Sequence, residues 1–392
     1  MNRSVLLQTI DALRPEALAM SDTIFDHPEV GGTERFAGGL LTGFLEKQGF
    51  SVERGVGGLE TAFRAVWENG TGGPSIGLLC EYDALENFGH GCGHHMQGPA
   101  IVTAAAALKA AAGEEPFRIV VYGTPDEEYG NGKITMLENG CFGDIDFALM
   151  THAGPNTTVD VKSLAQRIYI AEYHGRAAHA AIKPEDGRSA VDAMVLSLHG
   201  LEILREHVRE DVKMHYAILE TSPSSNTVPE YARIEYNLRS YSSEYLDQVC
   251  RRFEKVMEGA AMMTETRVDY RVETKCDSKV PVLSLNEVIM RHAEELGAPQ
   301  RIPYRERTGS TDFGNLLHRM PGSCVRFAFV PEGTSSHSQE WLDAGKSERA
   351  HSGLMLAARI LALTSEDLIC DSALREHVRS EFRRRLAAEK NS

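Results

Sequence analysis

SIGLLCEYDALENFGHGCGHHMQGPAIVTAAAALKAAAGEEPFRIVVYG, residues 75–123, is the stretch that decides the fold of this chain. Its two ends, SIGLLC (75–80) and FRIVVYG (117–123), are short and almost continuously apolar, which is typical of strands covered on both faces. Residues 94–112 between them are rich in alanine and long enough for a helix. DFALMT (146–151) supplies another buried strand. This order predicts an open, doubly wound α/β sheet with its sites at the carboxyl ends of the strands.

A different pattern begins at about Ser163 and predicts an inserted domain. Runs of alternating polarity and runs of helical periodicity follow one another in the order β-α-β-β-α-β, which is that of a ferredoxin-like α+β unit. The predicted strands are 167–174, 213–220, 230–240 and 266–276, and the predicted helices are 189–208 and 243–263. The α/β pattern resumes after Pro281. We therefore predict an α/β domain in two parts, 1–162 and 280–392, with the domain 163–279 inserted between them.

The composition is that of an ordinary globular protein, with 42% hydrophobic and 25% charged residues. A length of 392 residues favours about two or three domains. The chain carries 41 basic and 56 acidic residues, a formal net charge of −15. A nucleic-acid partner is not expected, because such proteins need a basic face.

The sequence also predicts a cytoplasmic protein without a membrane partner. No apolar run reaches the roughly 18 residues that a bilayer span requires. The first 20 residues lack the unbroken apolar core of a signal peptide and are predicted to form a surface helix. The seven cysteines are odd in number and widely scattered, unlike the dense disulfide framework of a small secreted domain, which favours a reducing compartment.

A candidate metal site lies in GHGCGHHM, residues 89–96. Thiolate and imidazole groups bind zinc or manganese, and the glycines allow a turn tight enough to bring Cys92 and His94 to one ion. The alternative is that Cys92 is a small buried apolar residue.

The acidic pair Glu127 and Glu128 strengthens the metal interpretation. Both residues follow a predicted buried strand and precede the sequence YGNGK, which we predict to be a flexible loop. Adjacent carboxylates repel one another, so a structure that holds both usually supplies a cation or a shared proton. One of the two can bind a metal while the other acts as a general base. The alternative is a solvated acidic loop. Asp83 and His152 also follow predicted strands, at the same edge of the sheet.

At this point the chain resembles the aminoacylase and carboxypeptidase-G type of metallopeptidase, and within it the amidohydrolase branch of aminobenzoyl-glutamate and small-dipeptide hydrolases. The resemblance runs from about Ser21 to Leu363, and its motifs occur in order. They are LLCEYDAL (78–85), GHGCGH (89–94), GTPDEE (123–128), THAGP (151–155), GRAAHAA (175–181), NTVPEYA (226–232) with Arg239, and GSTDFGN (309–315).

The resemblance implies a two-metal hydrolase with zinc or manganese and assigns a role to each matching residue. Glu127 is implied as the catalytic base, and Asp83 as the acid that orients a metal ligand. In the inserted lid domain, His179 is implied to polarise the scissile carbonyl, while Asn226 and Arg239 bind the carboxylate of the substrate. The implied metal ligands are Cys92, His94, Glu128, His152 and His337.

The function that follows is hydrolysis by metal-activated water of a linear amide next to a free carboxylate. The substrate is expected to be an N-acyl amino acid, an aryl amide of an amino acid or a small dipeptide. The resemblance also implies a homodimer formed through the lid domain. His95 replaces the usual Asp or Asn of the branch and could alter the site or add a ligand, and His90 has no assigned task. Two alternatives remain open: a cysteine hydrolase with Cys92 as nucleophile, and a catalytically inactive metal-binding scaffold.

Overall fold

The computed structural model describes residues 1–221, 224–305 and 307–389. Within it the chain forms two compact units. We call them the sheet unit and the inserted unit. The sheet unit comprises Met1–Lys162, Lys279–Thr308 and Asp312–Ala387. The inserted unit comprises Ser163–Ser278 and Gly309–Thr311, together with Ala388 and Glu389 at the end of the described chain.

The sheet unit is built on one seven-stranded mixed sheet with the strand order β1-β2-β4-β3-β5-β11-β6. Its four neighbouring central strands, β4, β3, β5 and β11, are parallel, while β1, β2 and β6 pair antiparallel with their neighbours. The chain order changes direction around β3, so the carboxyl end of β3 lies at a topological switch point. The strands are β1 (Ser51–Arg54), β2 (Phe63–Asn69), β3 (Ser75–Cys80), β4 (Phe117–Gly123), β5 (Phe147–Gly154), β6 (Thr158–Val159) and β11 (Gly322–Ala328).

Apolar side chains cover both faces of this sheet. Successive residues of β3 enter different cores: Leu78 packs in the larger core, and Leu79 packs in a second core on the opposite face. The predicted doubly wound α/β arrangement is therefore confirmed. The helices of the sheet unit are α1 (Arg3–Asp26), α2 (Arg35–Lys47), α3 (Gln97–Ala110), α4 (Gly132–Glu138), α7 (Leu283–Glu295), α8 (Phe313–Leu316), α9 (Gln339–Asp343), α10 (Glu348–Cys370) and α11 (Ser372–Glu389).

The alanine content of α3 is explained by its position. The helix contacts both α1 and α10, and every residue from Gln97 to Leu108 is buried. Small side chains allow neighbouring helices to approach closely on several sides. A 3₁₀ turn, His94–Met96, leads into α3 and carries the predicted ligand His94 at the edge of the sheet.

The inserted unit has the predicted ferredoxin-like topology. Its four strands form one antiparallel sheet in the order β10-β7-β9-β8, and buried aromatic residues such as Tyr173, Tyr236 and Phe253 join the sheet to its two helices. The elements are β7 (Ala165–His174), α5 (Ala190–Arg205), β8 (Lys213–Thr221), β9 (Tyr231–Ser240), α6 (Ser243–Met263) and β10 (Arg267–Cys276).

The first part of the sheet unit differs from the sequence-based expectations. The strands β1 and β2 and the helix α2 were not predicted; in β1 the sequence SVER is mostly exposed at the sheet edge and lacks an apolar run. The N-terminal helix α1 is not merely a surface helix, since Leu6, Ile10 and Ile24 on one face are fully buried. None of the helices in the described chain is long and apolar enough to cross a bilayer.

Candidate active site

Cys92 and His94 lie on a turn that depends on the glycine between them. Gly93 has φ of +84°, a left-handed conformation that favours glycine, and a Cβ atom at this position would stand 2.7 Å from the Cβ of Ala153. Close approach of the turn to β5 brings Cys92 Sγ within 3.6 Å of His152 Nε2. His152 lies inside β5 rather than just after it, because the strand continues to Gly154.

The structure brings all five predicted metal ligands together, in two overlapping groups. In each group the candidate ligand atoms lie within 4.8 Å of one another. Cys92 belongs to both, as a thiolate shared between two ions would. The two groups are Cys92, His94 and His152, and Cys92, Glu128 and His337.

The chemistry of these donors fits a divalent metal. The buried atoms His94 Nε2 and Glu128 Oε1 have no hydrogen-bond partner within the described chain, although unpaired buried polar atoms are costly. Burial, the charge of Arg326 and nearby His94 hold the pKa of His152 well below its ordinary value, so its imidazole is neutral. Burial raises the pKa of the Cys92 thiol to about 12, so a thiolate here requires an adjacent cation. A set of thiolate, imidazole and carboxylate donors suits zinc or manganese.

Asp83 connects the two groups of ligands. The Nδ1–H of His94 donates to Asp83 Oδ1 over 3.0 Å and faces the Asp83 carbonyl oxygen at 3.1 Å, which leaves the Nε2 lone pair available for a metal. The other carboxylate oxygen of Asp83 accepts the backbone N–H of Glu128 over 3.0 Å. One acid at the end of β3 thus orients a ligand in each group.

Glu127 lies beside the ligands in a strongly acidic environment. Its carboxylate is within 4.8 Å of His94 and Glu128 in one cluster and of Glu81 and Asp312 in another. Burial, together with repulsion from Glu81 and Asp312, raises the pKa of Glu127 well above its ordinary value. A carboxylate with a raised pKa takes up a proton more readily than an ordinary glutamate, as a general base requires.

One candidate ligand and one residue close to the ligands have strained backbones. Asp126, just before Glu127, has φ of +60°, and the candidate ligand His337 has φ of +59°. Residues other than glycine seldom adopt this left-handed conformation, and such strain is concentrated at functional sites. The backbone N–H of His337 donates to the Gly91 carbonyl oxygen over 3.1 Å, which fixes the loop against the Cys92 turn.

The remaining predicted residues belong to the inserted unit. His179 and Asn226 are exposed and adjacent, because the N–H of Ala180 donates to the Asn226 carbonyl oxygen over 2.9 Å. The Nδ1 atom of His179 accepts the N–H of Ala181 over 3.3 Å, which leaves its Nε2–H free to donate. Arg239 on β9 is half-buried and forms no ion pair within the described chain; its Nε donates to Asn237 Oδ1 over 3.2 Å.

His90 and His95 do not join the clusters of candidate ligands. Each donates from Nε2 to a backbone carbonyl oxygen, His90 to Ile24 over 3.1 Å and His95 to Gly345 over 2.9 Å. Burial lowers the pKa of His95 to about 4, so its ring is neutral at pH 7. Neither residue belongs to any cluster of candidate ligands in the described chain. The possibility that His95 adds a ligand is therefore not supported.

Sequence reasoning did not single out three charged residues next to Glu127. They are Glu81, Lys133 and Asp312, all of them buried. Glu81 and Asp312 occur within the motifs that carry the resemblance, but neither had an assigned task. Lys133 was included in the YGNGK segment, which we predicted to be a flexible loop. The structure instead places Gly132 and Lys133 in the first turn of α4.

Comparison with known proteins shows the family of the chain. The sequence model of peptidase family M20/M25/M40 matches residues 77–362. A mouse protein named Xaa-Arg dipeptidase is 32% identical, over 97% of this chain and 92% of its own length. One of the p-aminobenzoyl-glutamate hydrolase chains of Escherichia coli K12 is 31% identical, over 95% of this chain and 93% of its own length.

A solved structure with the same fold is that of a dinuclear metal-binding M20 peptidase from Bacillus subtilis. It superimposes with a TM-score of 0.69 and 18% identity, over 91% of this chain and 98% of its own. The resemblance that the sequence motifs indicated is thus confirmed. The chain belongs to peptidase family M20/M25/M40, and it is a metal-dependent hydrolase of amide bonds.

Proposed function

We propose that the chain is a two-ion amidohydrolase that cleaves an amide bond next to a free carboxylate. The observation that carries this proposal is the position of Cys92, whose sulfur lies within 4.8 Å of the donor atoms of both ligand groups. His94 and His152 would hold one ion, Glu128 and His337 the other, and Cys92 both. The ions are zinc or manganese, since both metals accept this mixture of soft and hard donors.

Divalent ions at such a site make water a stronger nucleophile and polarise the carbonyl oxygen. The protein residues then move the proton. Glu127 takes it from the attacking water and delivers it to the leaving amine, and its raised pKa suits both steps. Asp83 keeps His94 and the backbone of Glu128 oriented throughout.

Residues of the inserted unit bind the rest of the substrate. The Nε2–H of His179 donates to the carbonyl oxygen as negative charge develops there, a contribution of about 3–4 kcal/mol for a single donor. Arg239 binds the substrate carboxylate, helped by Asn226. Arg239 forms no ion pair with the described residues and suits this role, because its planar guanidinium binds a carboxylate with two parallel hydrogen bonds.

The substrate class is a dipeptide, an aryl amide of an amino acid or an N-acyl amino acid. The names of the mouse and bacterial relatives support the first two. A screen of dipeptides, p-aminobenzoyl-glutamate and N-acetyl amino acids tests this, using chelated protein reloaded with zinc or with manganese. Hydrolysis is expected only after reloading and only when the carboxylate is free. Equal turnover of substrates with an amidated carboxylate would contradict the proposal.

The inserted unit pairs two chains into a homodimer. Its edge strand β8 is exposed along almost its whole length, and Tyr216, Ile218 and Leu219 on it are 46–54% exposed. An open edge strand with apolar side chains is prone to pair with another chain. Sedimentation should show a dimer, and Ile218→Glu should shift it towards monomer. A monomeric wild type would contradict this arrangement.

The protein is cytoplasmic. The seven cysteines, all within the described chain, form no disulfide bond, as expected in a reducing compartment.

A cysteine hydrolase is the weaker explanation of Cys92. Burial raises the pKa of this thiol, whereas nucleophilic cysteines have a lowered pKa. It would also leave Glu128 and His337 without a task. An inactive scaffold is disfavoured because the ligands and Glu127 are all present and clustered.

A further inference from the structure

A buried ammonium group lies among three carboxylates behind the candidate metal ligands. The Lys133 side chain is only 1% exposed, and its Nζ lies 2.5 Å from Glu81 Oε1 and 2.7 Å from Asp312 Oδ1. The backbone N–H of Lys133 also donates to Asp312 Oδ2 over 2.9 Å. Together with Glu127 these residues form what we call the Lys133 cluster.

The Lys133 cluster joins segments that are far apart in sequence. Glu81 follows β3, Glu127 follows β4, and Asp312 immediately precedes α8. Lys133 itself lies in the first turn of α4. The hydrogen bonds of Lys133 therefore tie the carboxyl end of a central strand to two short helices.

The cluster also borders the candidate metal centre. One carboxylate oxygen of Glu81 accepts a hydrogen bond from the Gln97 side-chain amide over 2.8 Å and lies 3.4 Å from His94 Nε2. Glu127 belongs both to the Lys133 cluster and to the cluster with His94 and Glu128. Glu127 therefore connects the Lys133 cluster to the candidate metal ligands.

The charges of the cluster require a cation. The carboxylates of Glu81, Glu127 and Asp312 lie within 4.8 Å of one another, a spacing that would also suit a metal ion. Lys133 supplies the positive charge instead, and both of its close acidic partners are almost fully buried. Buried charges are retained only when they are paired. Glu127, the acid without a hydrogen bond to Lys133, is repelled by the other two and directed towards the metal ligands.

We propose that Lys133 is a positioning residue for hydrolysis: by fixing Glu81 and Asp312 it holds the Glu127 carboxylate where it can accept the proton of the attacking water. This inference rests on the proposed role of Glu127 as the base. A purely structural tie between α4, α8 and β3 is the competing explanation. The two differ because misplacing a base affects the chemical step, whereas a structural tie affects stability or metal content.

The test compares metal-loaded wild type with Lys133→Met, Lys133→Arg and the double variant Lys133→Met/Asp312→Asn. The substrate is p-aminobenzoyl-glutamate, or the dipeptide of the screen that wild type hydrolyses. Lys133→Met should keep the metal content of wild type and a KM within about threefold, while kcat falls about 100-fold, as expected for a displaced catalytic group. Lys133→Arg, which retains the positive charge, should lose much less. The double variant restores the net charge of the cluster and should recover part of kcat.

Lys109→Met is the matched control. Lys109 is a half-buried lysine in the last turn of α3, where its ammonium binds the carbonyl oxygens of Gln48 and Gly49 without touching an acid of the site. Should Lys133→Met fail to fold, Lys133→Gln, which keeps a hydrogen-bond donor but no charge, is expected to show the same loss in kcat. A kcat within threefold of the Lys109→Met value, or a loss fully explained by missing metal, would overturn the inference.

The result also separates this inference from the proposed function. If Glu127→Gln is inactive while Lys133→Met is fully active, only the role of Lys133 is wrong. If Glu127→Gln itself retains full activity, the assignment of the base is wrong, and the inference about Lys133 is overturned with it.

Discussion

Replacing Glu127 by glutamine should lower activity and raise stability at the same time. Glutamine keeps the shape of the side chain but cannot accept the proton. Loss of a positioned general base lowers kcat by roughly 100-fold to 10,000-fold. This corresponds to about 3–5 kcal/mol of transition-state stabilisation. The metal content should remain that of wild type, because Glu127 is not a proposed ligand.

The gain in stability follows from the acids around Glu127. Two unit charges about 5 Å apart repel by roughly 3 kcal/mol at an effective dielectric constant of about 20, and Glu81 and Asp312 both lie within 4.8 Å. Attraction by Lys133 offsets about one of these repulsions. Because Glu127 is only half-buried, solvent screening reduces the remaining repulsion to about 1–2 kcal/mol. Glu127→Gln should raise the free energy of unfolding by that amount.

The pH dependence of this gain has a definite sign. The pKa of Glu127 is raised in the folded protein, so the ionised carboxylate is disfavoured on folding. Wild type and Glu127→Gln should therefore have similar stability below the ordinary pKa of glutamate. The difference should grow as the pH rises above the ordinary pKa of glutamate and be complete above the folded-state pKa.

Steady-state kinetics and urea unfolding of chelated protein measure the two effects separately. Chelation matters because bound metal would add its own stabilisation to the folded state. Glu128→Gln is the matched control, because the same substitution at the next residue should lower the metal content of the protein. A kcat of Glu127→Gln within tenfold of wild type, or a loss of more than about 1 kcal/mol in stability, would refute the reasoning.

Three further predictions concern other parts of the molecule. Cys92→Ala should lose both ions by elemental analysis, whereas His337→Ala should retain about one ion per chain, because only Cys92 belongs to both ligand groups; equal metal content in the two variants would contradict a shared thiolate. Arg239→Ala should raise KM for carboxylate substrates at least tenfold more than for their amides, since about 1.4 kcal/mol of binding free energy corresponds to a factor of ten. An equal rise in KM for both kinds of substrate in a paired kinetic assay would exclude Arg239 from the binding site. Glu381→Gln should destabilise the fold by about 1–2 kcal/mol at pH 7 after allowance for solvent screening, because hydrogen bonds from Ser284, Leu283 and Arg385 outweigh burial and lower the pKa of Glu381 to about 2. Since this folded-state pKa is depressed, the difference in urea unfolding should shrink as the pH falls from the ordinary pKa of glutamate towards 2. A difference in stability that is independent of pH would contradict this prediction.

The elements that the sequence predicted are those whose pattern is local. SIGLLC, residues 75–80, forms β3 and is buried at every position, so its apolar run marks it clearly. The strand β9, at 231–240, alternates between buried and half-buried residues along its whole length, as the alternating sequence predicted. The motifs also contain four of the five candidate ligands, Cys92, His94, Glu128 and His152, because each lies close to a strand or a glycine turn, whereas His337 lies outside the motifs and was implied by the resemblance alone.

The parts that could not be predicted depend on contacts between distant residues. Lys133 meets Glu81 from 52 positions away and Asp312 from 179 positions away, and no local pattern records either pairing. The three residues before Lys133 are Gly130, Asn131 and Gly132, which is why we predicted a loop. The orientation of His95 towards the Gly345 carbonyl oxygen is likewise set by a residue 250 positions away.

The most direct test of the two-ion site measures metal binding and hydrolysis in the same samples. Chelated protein is titrated with zinc or manganese, and bound metal per chain and the rate of hydrolysis are recorded at each step. The proposed site predicts no activity without metal and full activity only as the second ion per chain binds. Full activity of the chelated protein, or a maximum reached with no more than one ion bound per chain, would contradict it.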